Sequence, residues 1–243
     1  MKQTDTVVVT GGTKGLGLAI CKRLSHDGFK IIAVGRSITD KLQDLIDNSD
    51  GNVAFECFDF NEISAIKTFV KQLTKKYGPI YGLVNNAAIG HDGVLATMHE
   101  SDISTLIRVN IEAPIILTKY ISRSMLIKQR GRILNVGSII GSTGFNGLSV
   151  YGATKSALSG FTRSLSRELG KAGITVNTLA PGYMMTSMTE GLQGKKLETI
   201  KRRSPMGTLI DTDDAAAAAA YFMSEDASKV TGTTLTVDAG STA

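Results

Sequence analysis

Residues 6–10 read Thr-Val-Val-Val-Thr, and the eight residues from Thr10 to Gly17 read Thr-Gly-Gly-Thr-Lys-Gly-Leu-Gly. A continuous β-branched apolar run of this length suits a strand buried on both faces of a parallel sheet. The run passes through the glycines directly into a helical pattern over residues 18–28. A strand, a glycine turn and a helix N-terminus together form an anion site. Backbone N–H groups and the helix dipole face the charge, and glycines let the main chain approach it. The spacing, Gly11, Gly15 and Gly17, is G-x-x-x-G-x-G rather than the G-x-G-x-x-G of the common dinucleotide fingerprint.

The same alternation continues to the C-terminus. Strand patterns fall at residues 30–34, 52–57, 80–84, 132–136, 174–180 and 233–237, with helical patterns at 63–77, 101–128, 151 onward and 211–224. Seven alternations without an internal repeat or a Pro/Gly-rich linker predict one α/β domain over residues 1–243. Its core is a doubly wound, seven-stranded parallel sheet of Rossmann type with helices on both faces. No length is left for a substrate domain, so substrate and cofactor are expected over the same strand ends.

Candidate chemistry collects at those ends. Ser138 follows the strand at 132–136, and Tyr151 and Lys155 stand four residues apart at the start of a helix rich in small residues. An i, i+4 pair shares a helix face, so the lysine ammonium can sit beside the phenol and ease its ionisation. With a serine hydroxyl to orient a substrate oxygen, that is a general acid/base. The strand at 30–34 ends in Gly35, Arg36 and Ser37, where an NAD site places an acid and an NADP site an arginine. Arg36, with Lys14 in the glycine turn and no acid, favours NADP(H). Asp59, beyond the third strand, reads as an adenine acceptor or as a helix cap. Asn85–Ala88 reads as a turn over a flat ligand or as a hydrogen-bonded strand end. Asn110, mid-helix and near Pro114, reads as a satisfied polar group, a water holder or a helix irregularity. The methionines at 184, 185 and 188 read as a mobile lid or as ordinary core.

Composition excludes several classes. A 42% hydrophobic, 20% charged chain of 243 residues is an ordinary globular composition, and no apolar run reaches the length of a membrane span. The net charge of +5 is spread rather than blocked, and the densest basic stretch (Lys195, Lys196, Lys201, Arg202, Arg203) has no interleaved aromatics, so no nucleic-acid partner is expected. Cys21 and Cys57 are isolated and the three histidines scattered, without metal-ligand spacing. No leader pattern precedes the first strand, and a cytoplasmic location is expected.

Taken together, T-G-x-x-x-G-x-G at residues 10–17, N-N-A at 85–87, Asn110, Ser138, Y-x-x-x-K at 151–155 and Pro181-Gly182 resemble the short-chain dehydrogenase/reductase family. The resemblance spans essentially the whole chain. GRILNVGSIIGSTG, SRELGKAGITVNTLAPGYMMTSM and VTGTTLTVDAG are most similar to the bacterial 3-oxoacyl-[acyl-carrier-protein] reductases. The resemblance implies that Tyr151 gives the proton, Lys155 holds the nicotinamide ribose, Ser138 orients the carbonyl and Asn110 positions a water. It implies Gly11, Thr13, Lys14, Gly15, Leu16 and Gly17 at the pyrophosphate and Arg36 and Ser37 at the 2′-phosphate. Asp59 and Phe60 would lie at the adenine, and Asn86, Ala87 and Ala88 along the ribose. Pro181, Gly182, Met184 and Thr186 would approach the carboxamide. It also implies a homotetramer built on the helices carrying Asn110 and Tyr151, whose small face is Gly152, Ala153, Ala157 and Gly160.

The chain departs from that pattern away from the chemistry. Ala88 replaces a usual glycine, Gly90-His91 a frequent Thr-Arg pair, and Thr208 an arginine. Gln129 and Ala172 occupy positions where basic residues would dock an acyl carrier protein, with Arg130, Arg132 and Lys171 nearby. The leading expectation is an NADPH-dependent 3-oxoacyl thioester reductase, with acyl carrier protein as a partner. The alternatives are the same chemistry on a sugar-nucleotide or secondary-metabolite carbonyl, and a non-catalytic NADP-sensing regulator.

Overall fold

The computed structural model describes residues 5–184 and 195–243. Seven parallel strands form one sheet: β1 (Thr6–Thr10), β2 (Lys30–Gly35), β3 (Val53–Cys57), β4 (Gly82–Asn85), β5 (Gly131–Val136), β6 (Ile174–Pro181) and β7 (Thr234–Val237). Their spatial order is β3-β2-β1-β4-β5-β6-β7. The order reverses between β1 and β4, and ligands of open α/β sheets bind beyond the carboxyl ends at such a switch point.

Strand side chains alternate between two cores, which is why the strands read as unbroken apolar runs. Val7, Val9, Ile31, Ala33, Val84, Leu134 and Leu179 face one side. Val8, Ile32, Val34, Leu83, Ile133 and Val176 face the other. The first side is covered by α1 (Gly15–His26), α2 (Asp40–Asp47) and α8 (Thr212–Met223). Alanines 215, 216, 219 and 220 let α8 lie closely against the sheet and α1. Asp211 and Asp214 form a reciprocal capping box that fixes where α8 begins.

The second side is covered by α3 (Ile66–Tyr77), α5 (Ala113–Lys128) and α6 (Ser149–Leu169). α4 (Glu100–Ile107) runs into α5 through a π-helical turn at Arg108–Glu112. α7 (Lys195–Arg203) precedes α8. Among the described residues, no helix is long and apolar enough to cross a membrane.

Two open readings are resolved. The helix expected over 101–128 is interrupted by the π turn at Asn110, the local irregularity among its readings, and Pro114 lies in the first turn of α5. Asp59 caps no helix; its carboxylate accepts from the Asn61 N–H at 2.9 Å in a local turn.

Candidate active site

Because all seven strands are parallel, the residues just beyond their carboxyl ends share one edge. These are Gly11 after β1, Arg36 after β2, Asp59 after β3, Asn86 after β4, Ser138 after β5 and Tyr183 after β6. Elements far apart in sequence thus deliver a glycine turn, two cations and a serine–tyrosine pair to one crevice.

The turn after β1 is held in three ways. Gly11 takes a φ of +63°, open to glycine at little cost. A Cβ on Gly17 would overlap the Gly11 carbonyl oxygen and lie 2.6 Å from the Asn86 amide nitrogen. Gly17 therefore lets α1 approach the turn. The Thr10 hydroxyl accepts from the N–H groups of Asn86 and Ala87, both at 2.9 Å, and donates to the Val84 carbonyl at 3.2 Å. Asn86 Nδ2 donates to the carbonyls of Thr10 (2.9 Å) and Gly11 (3.2 Å). The Asn86 side chain thus braces the turn. Thr10 was not singled out in the sequence, although a lone hydroxyl ending an apolar strand was its signal.

The helix end beyond this turn is open to an anion. No side chain caps α1 at Lys14, and its first turn carries no acid, so its leading N–H groups are left for a ligand. Lys14, Arg36 and Ser37 are exposed, and neither cation has an ionic partner among the described residues. Thr13 is pinned between Thr39, whose hydroxyl donates to the Thr13 carbonyl at 2.6 Å, and Gly35. Leu16 and Phe60 face the two cores, so only their backbones are available to a ligand.

Across the switch point, Ser138 follows β5, and its hydroxyl accepts from the Ile140 N–H at 3.2 Å. Below it, Asn85 Nδ2 donates to Asn135 (2.8 Å) and Thr118 (2.9 Å), and Asn135 donates to Thr162 (2.8 Å). The Thr162 and Thr178 hydroxyls meet at 2.7 Å. This buried polar chain ties α5, β4, β5, α6 and β6 together directly beneath the site. It accounts for Asn85, whose amide is directed inward and not toward a ligand.

Tyr151 and Lys155 share one face of α6, as their spacing requires, with the Lys155 nitrogen 5.7 Å from the Tyr151 ring centroid. Their protonation differs from the sequence expectation. Burial pushes the Tyr151 phenol up to about 12, offset in part by its hydrogen bond with Ser138, with the nearby Tyr183 and Asp92 adding to the rise. Lys155 is itself buried and donates to the Val136 carbonyl at 2.8 Å. Burial alone pulls its ammonium down to about 8. With the lysine turned to a backbone carbonyl, the phenol holds its proton and the lysine is the group that titrates first.

Asn110 lies in the π turn, where such turns often serve function. Its Oδ1 accepts from the Ile89 N–H at 2.9 Å, and its Nδ2 donates to the Ile89 carbonyl (2.9 Å) and to Thr154 (3.2 Å). Asn110 thus fastens the segment after β4 to the helix that carries Tyr151. Ala88 sits in that segment, half-buried. Pro181 closes β6 beside Val237, Gly182 donates to the Val237 carbonyl at 2.8 Å, and Met184 packs on the core and bridges to Ile210. Thr186, Met185 and Met188 lie outside the described residues.

A family description, short chain dehydrogenase, matches residues 5–196. The chain belongs to the short-chain dehydrogenase family. This short-chain dehydrogenase is 37% identical over 243 residues to a 3-oxoacyl-[acyl-carrier-protein] reductase, FabG, of Haemophilus influenzae, covering 98% of each chain. It is 34% identical to the FabG of Escherichia coli, over 96% of this chain and 95% of that one. Among solved structures it is similar to ElxO with NADP bound (27% identity, TM-score 0.90, 98% of this chain and 99% of that one). A gluconate 5-dehydrogenase from Burkholderia cenocepacia in complex with NADP and tartrate is also similar (27% identity, TM-score 0.93, 98% and 95%). The protein is an NAD(P)-dependent oxidoreductase that is similar to 3-oxoacyl-[acyl-carrier-protein] reductases.

Two basic residues near the expected carrier-docking position have other work in this short-chain dehydrogenase. Arg130 pairs with Asp5 at 2.9 Å and Glu225 at 2.8 Å, and its guanidinium lies over the Tyr81 ring at 4.3 Å. Arg132 is buried, 3.3 Å from Glu225. Both arginines hold the amino-terminal edge of the sheet together.

Proposed function

We propose that the chain reduces a 3-oxoacyl thioester to the 3-hydroxy thioester with NADPH, with Tyr151 as the general acid. The observation that carries this reading is the meeting of Ser138, Tyr151 and Lys155 with the open N-terminus of α1 at one sheet edge. The names of the relatives support the substrate class. Support for NADPH over NADH lies in Lys14 and Arg36, two exposed cations without ionic partners among the described residues, where no acid follows β2 to accept from a ribose hydroxyl.

When bound, reduced nicotinamide supplies the hydride that adds to the carbonyl carbon. Ser138 donates a hydrogen bond to the carbonyl oxygen and fixes its direction. Tyr151, protonated at any physiological pH, transfers its phenolic proton to that oxygen as negative charge develops on it. The phenolate left behind is stabilised by Ser138 and by the Lys155 charge on the same helix face. Asn110 and the polar chain through Asn85 and Asn135 keep these groups in register, which is their contribution to rate. Gly11, Gly15 and Gly17 would give backbone room to the pyrophosphate. Ala87, Ala88, Pro181 and Gly182 would line the nicotinamide half, and Asp59 with the Phe60 backbone the adenine end. The assembly is a homotetramer in this reading, with acyl carrier protein or coenzyme A carrying the acyl group.

The pH dependence has a defined sign. Lys155 is cationic below about 8 and loses its charge above it, whereas Tyr151 keeps its proton to about 12. The value of kcat/KM for NADPH, which reports the free enzyme, is therefore expected to be level below pH 8 and to fall above it. A profile level to pH 10 would remove Lys155 from the mechanism.

The substrate and cofactor are tested together by following the absorbance of NADPH, and of NADH in parallel, with acetoacetyl-CoA as substrate. Rapid consumption of NADPH with slow consumption of NADH is expected. Arg36→Ala is expected to weaken NADPH roughly tenfold, the size of one charge-assisted hydrogen bond, while leaving NADH unchanged. NADPH binding without thioester turnover would transfer the assignment to another carbonyl, and equal loss for both cofactors in Arg36→Ala would sink the 2′-phosphate contact.

A further inference from the structure

Tyr183 carries a hydroxyl oxygen that is sequestered from solvent and has no hydrogen-bond partner among the described residues. A buried phenol without a partner is costly, and its place in the fold suggests what relieves it. Tyr183 stands two residues beyond β6, at the same sheet edge as Ser138, which follows β5. Its ring meets Phe145 with centroids 5.7 Å apart, and Phe145 belongs to the segment between Ser138 and α6. The Arg203 guanidinium lies over the other participant, Phe145, at 5.7 Å. On the facing side, the Gly93 N–H donates to the Gly147 carbonyl at 2.9 Å, which brings the segment containing Asp92 to the same crevice. The Phe145–Tyr183 ring contact and the Gly93–Gly147 hydrogen bond thus bring Tyr183 and the segment containing Asp92 to the stretch between Ser138 and α6, and the charge of Asp92 adds to the rise of both the Tyr151 and Tyr183 phenols.

We propose that Tyr183 determines substrate specificity by donating a hydrogen bond to a second oxygen of the substrate, two carbons from the carbon being reduced. In a 3-oxoacyl thioester that oxygen is the thioester carbonyl. Tyr151 and Ser138 hold the ketone oxygen and Tyr183 holds the other, so a 1,3-dicarbonyl is gripped at both ends while a simple ketone is gripped at one. The proposal rests on the thioester reading above and deepens it. A site built to hydrogen-bond one substrate group discriminates strongly against analogues that lack it.

The test compares wild type with Tyr183→Phe on two substrates, the acetoacetyl thioester of N-acetylcysteamine and a methyl ketone of similar size without a second oxygen. The variant removes one oxygen atom, and unchanged NADPH affinity by fluorescence shows that it folds. The expected result is a loss of about tenfold in kcat/KM for the thioester, the scale of one hydrogen bond, with the simple ketone unchanged. Equal loss on both substrates, or loss on neither, overturns the role of Tyr183 and leaves the thioester reading standing. A wild-type enzyme that reduces the ketone but not the thioester overturns the thioester reading, and this proposal with it.

Discussion

Tyr151→Phe is expected to lower turnover by about 10²–10⁴-fold, the range that a positioned general acid contributes. The substitution keeps the ring in its pocket on α6 and removes only the proton donor. NADPH affinity should therefore stay within a few-fold of wild type, because the anion site is built from the glycine turn and α1. The phenol oxygen interacts with Ser138, so its loss leaves that hydroxyl to Ile140. Measured turnover and a fluorescence titration of NADPH separate the two effects. Retention of turnover would require another acid, and Ser138 alone, with an ordinary hydroxyl, could not replace a phenol.

The second large effect is expected at Gly17. A Cβ there would overlap the Gly11 carbonyl oxygen, a backbone atom that cannot rotate away, and would press on the Asn86 amide nitrogen at 2.6 Å. Gly17→Ala must displace α1 from the turn or break the Asn86 brace. Overpacking of this kind costs about 1–3 kcal/mol, so melting should fall by roughly 2–12 °C for a chain of this size. The N-terminal N–H groups of α1 move with the helix, and NADPH affinity should fall at least tenfold. A variant that melts lower but binds NADPH normally would show that the turn does not hold the cofactor.

The strands were legible because burial on both sheet faces demands the unbroken β-branched runs that TVVVT and KIIAV display. The residues beyond their ends followed, since a parallel sheet puts every carboxyl end on one edge. α2 was not legible. It is eight residues long, buries only Leu42 and owes its start to Thr39, whose hydroxyl accepts from the Leu42 N–H. The irregularity at Asn110 was one of three readings the sequence left open, for a different reason. The helical pattern continues unbroken across it, and its distinctive contacts are to Ile89 and Thr154, distant in sequence.

The placement of Tyr151 and Lys155 on one helix face could be read from their spacing alone, but their protonation could not. It depends on burial beneath several elements, which raises the phenol and lowers the ammonium. For the same reason Arg130 and Arg132 read as basic residues near a carrier-docking position, although Asp5 and Glu225 pair with them from opposite ends of the chain. Charge that long-range packing has already satisfied looks identical, in sequence, to charge that awaits a ligand.

The central claim is that this crevice delivers a hydride from NADPH and a proton from Tyr151 to one carbonyl. It is tested most directly by supplying NADPH carrying two deuterium atoms at C4 of the nicotinamide, with acetoacetyl-CoA, and measuring the mass of the product. The account expects 3-hydroxybutyryl-CoA with one deuterium on the carbinol carbon, formed by wild type and not by Tyr151→Phe. An alcohol without deuterium, or the same yield from the variant, would contradict it.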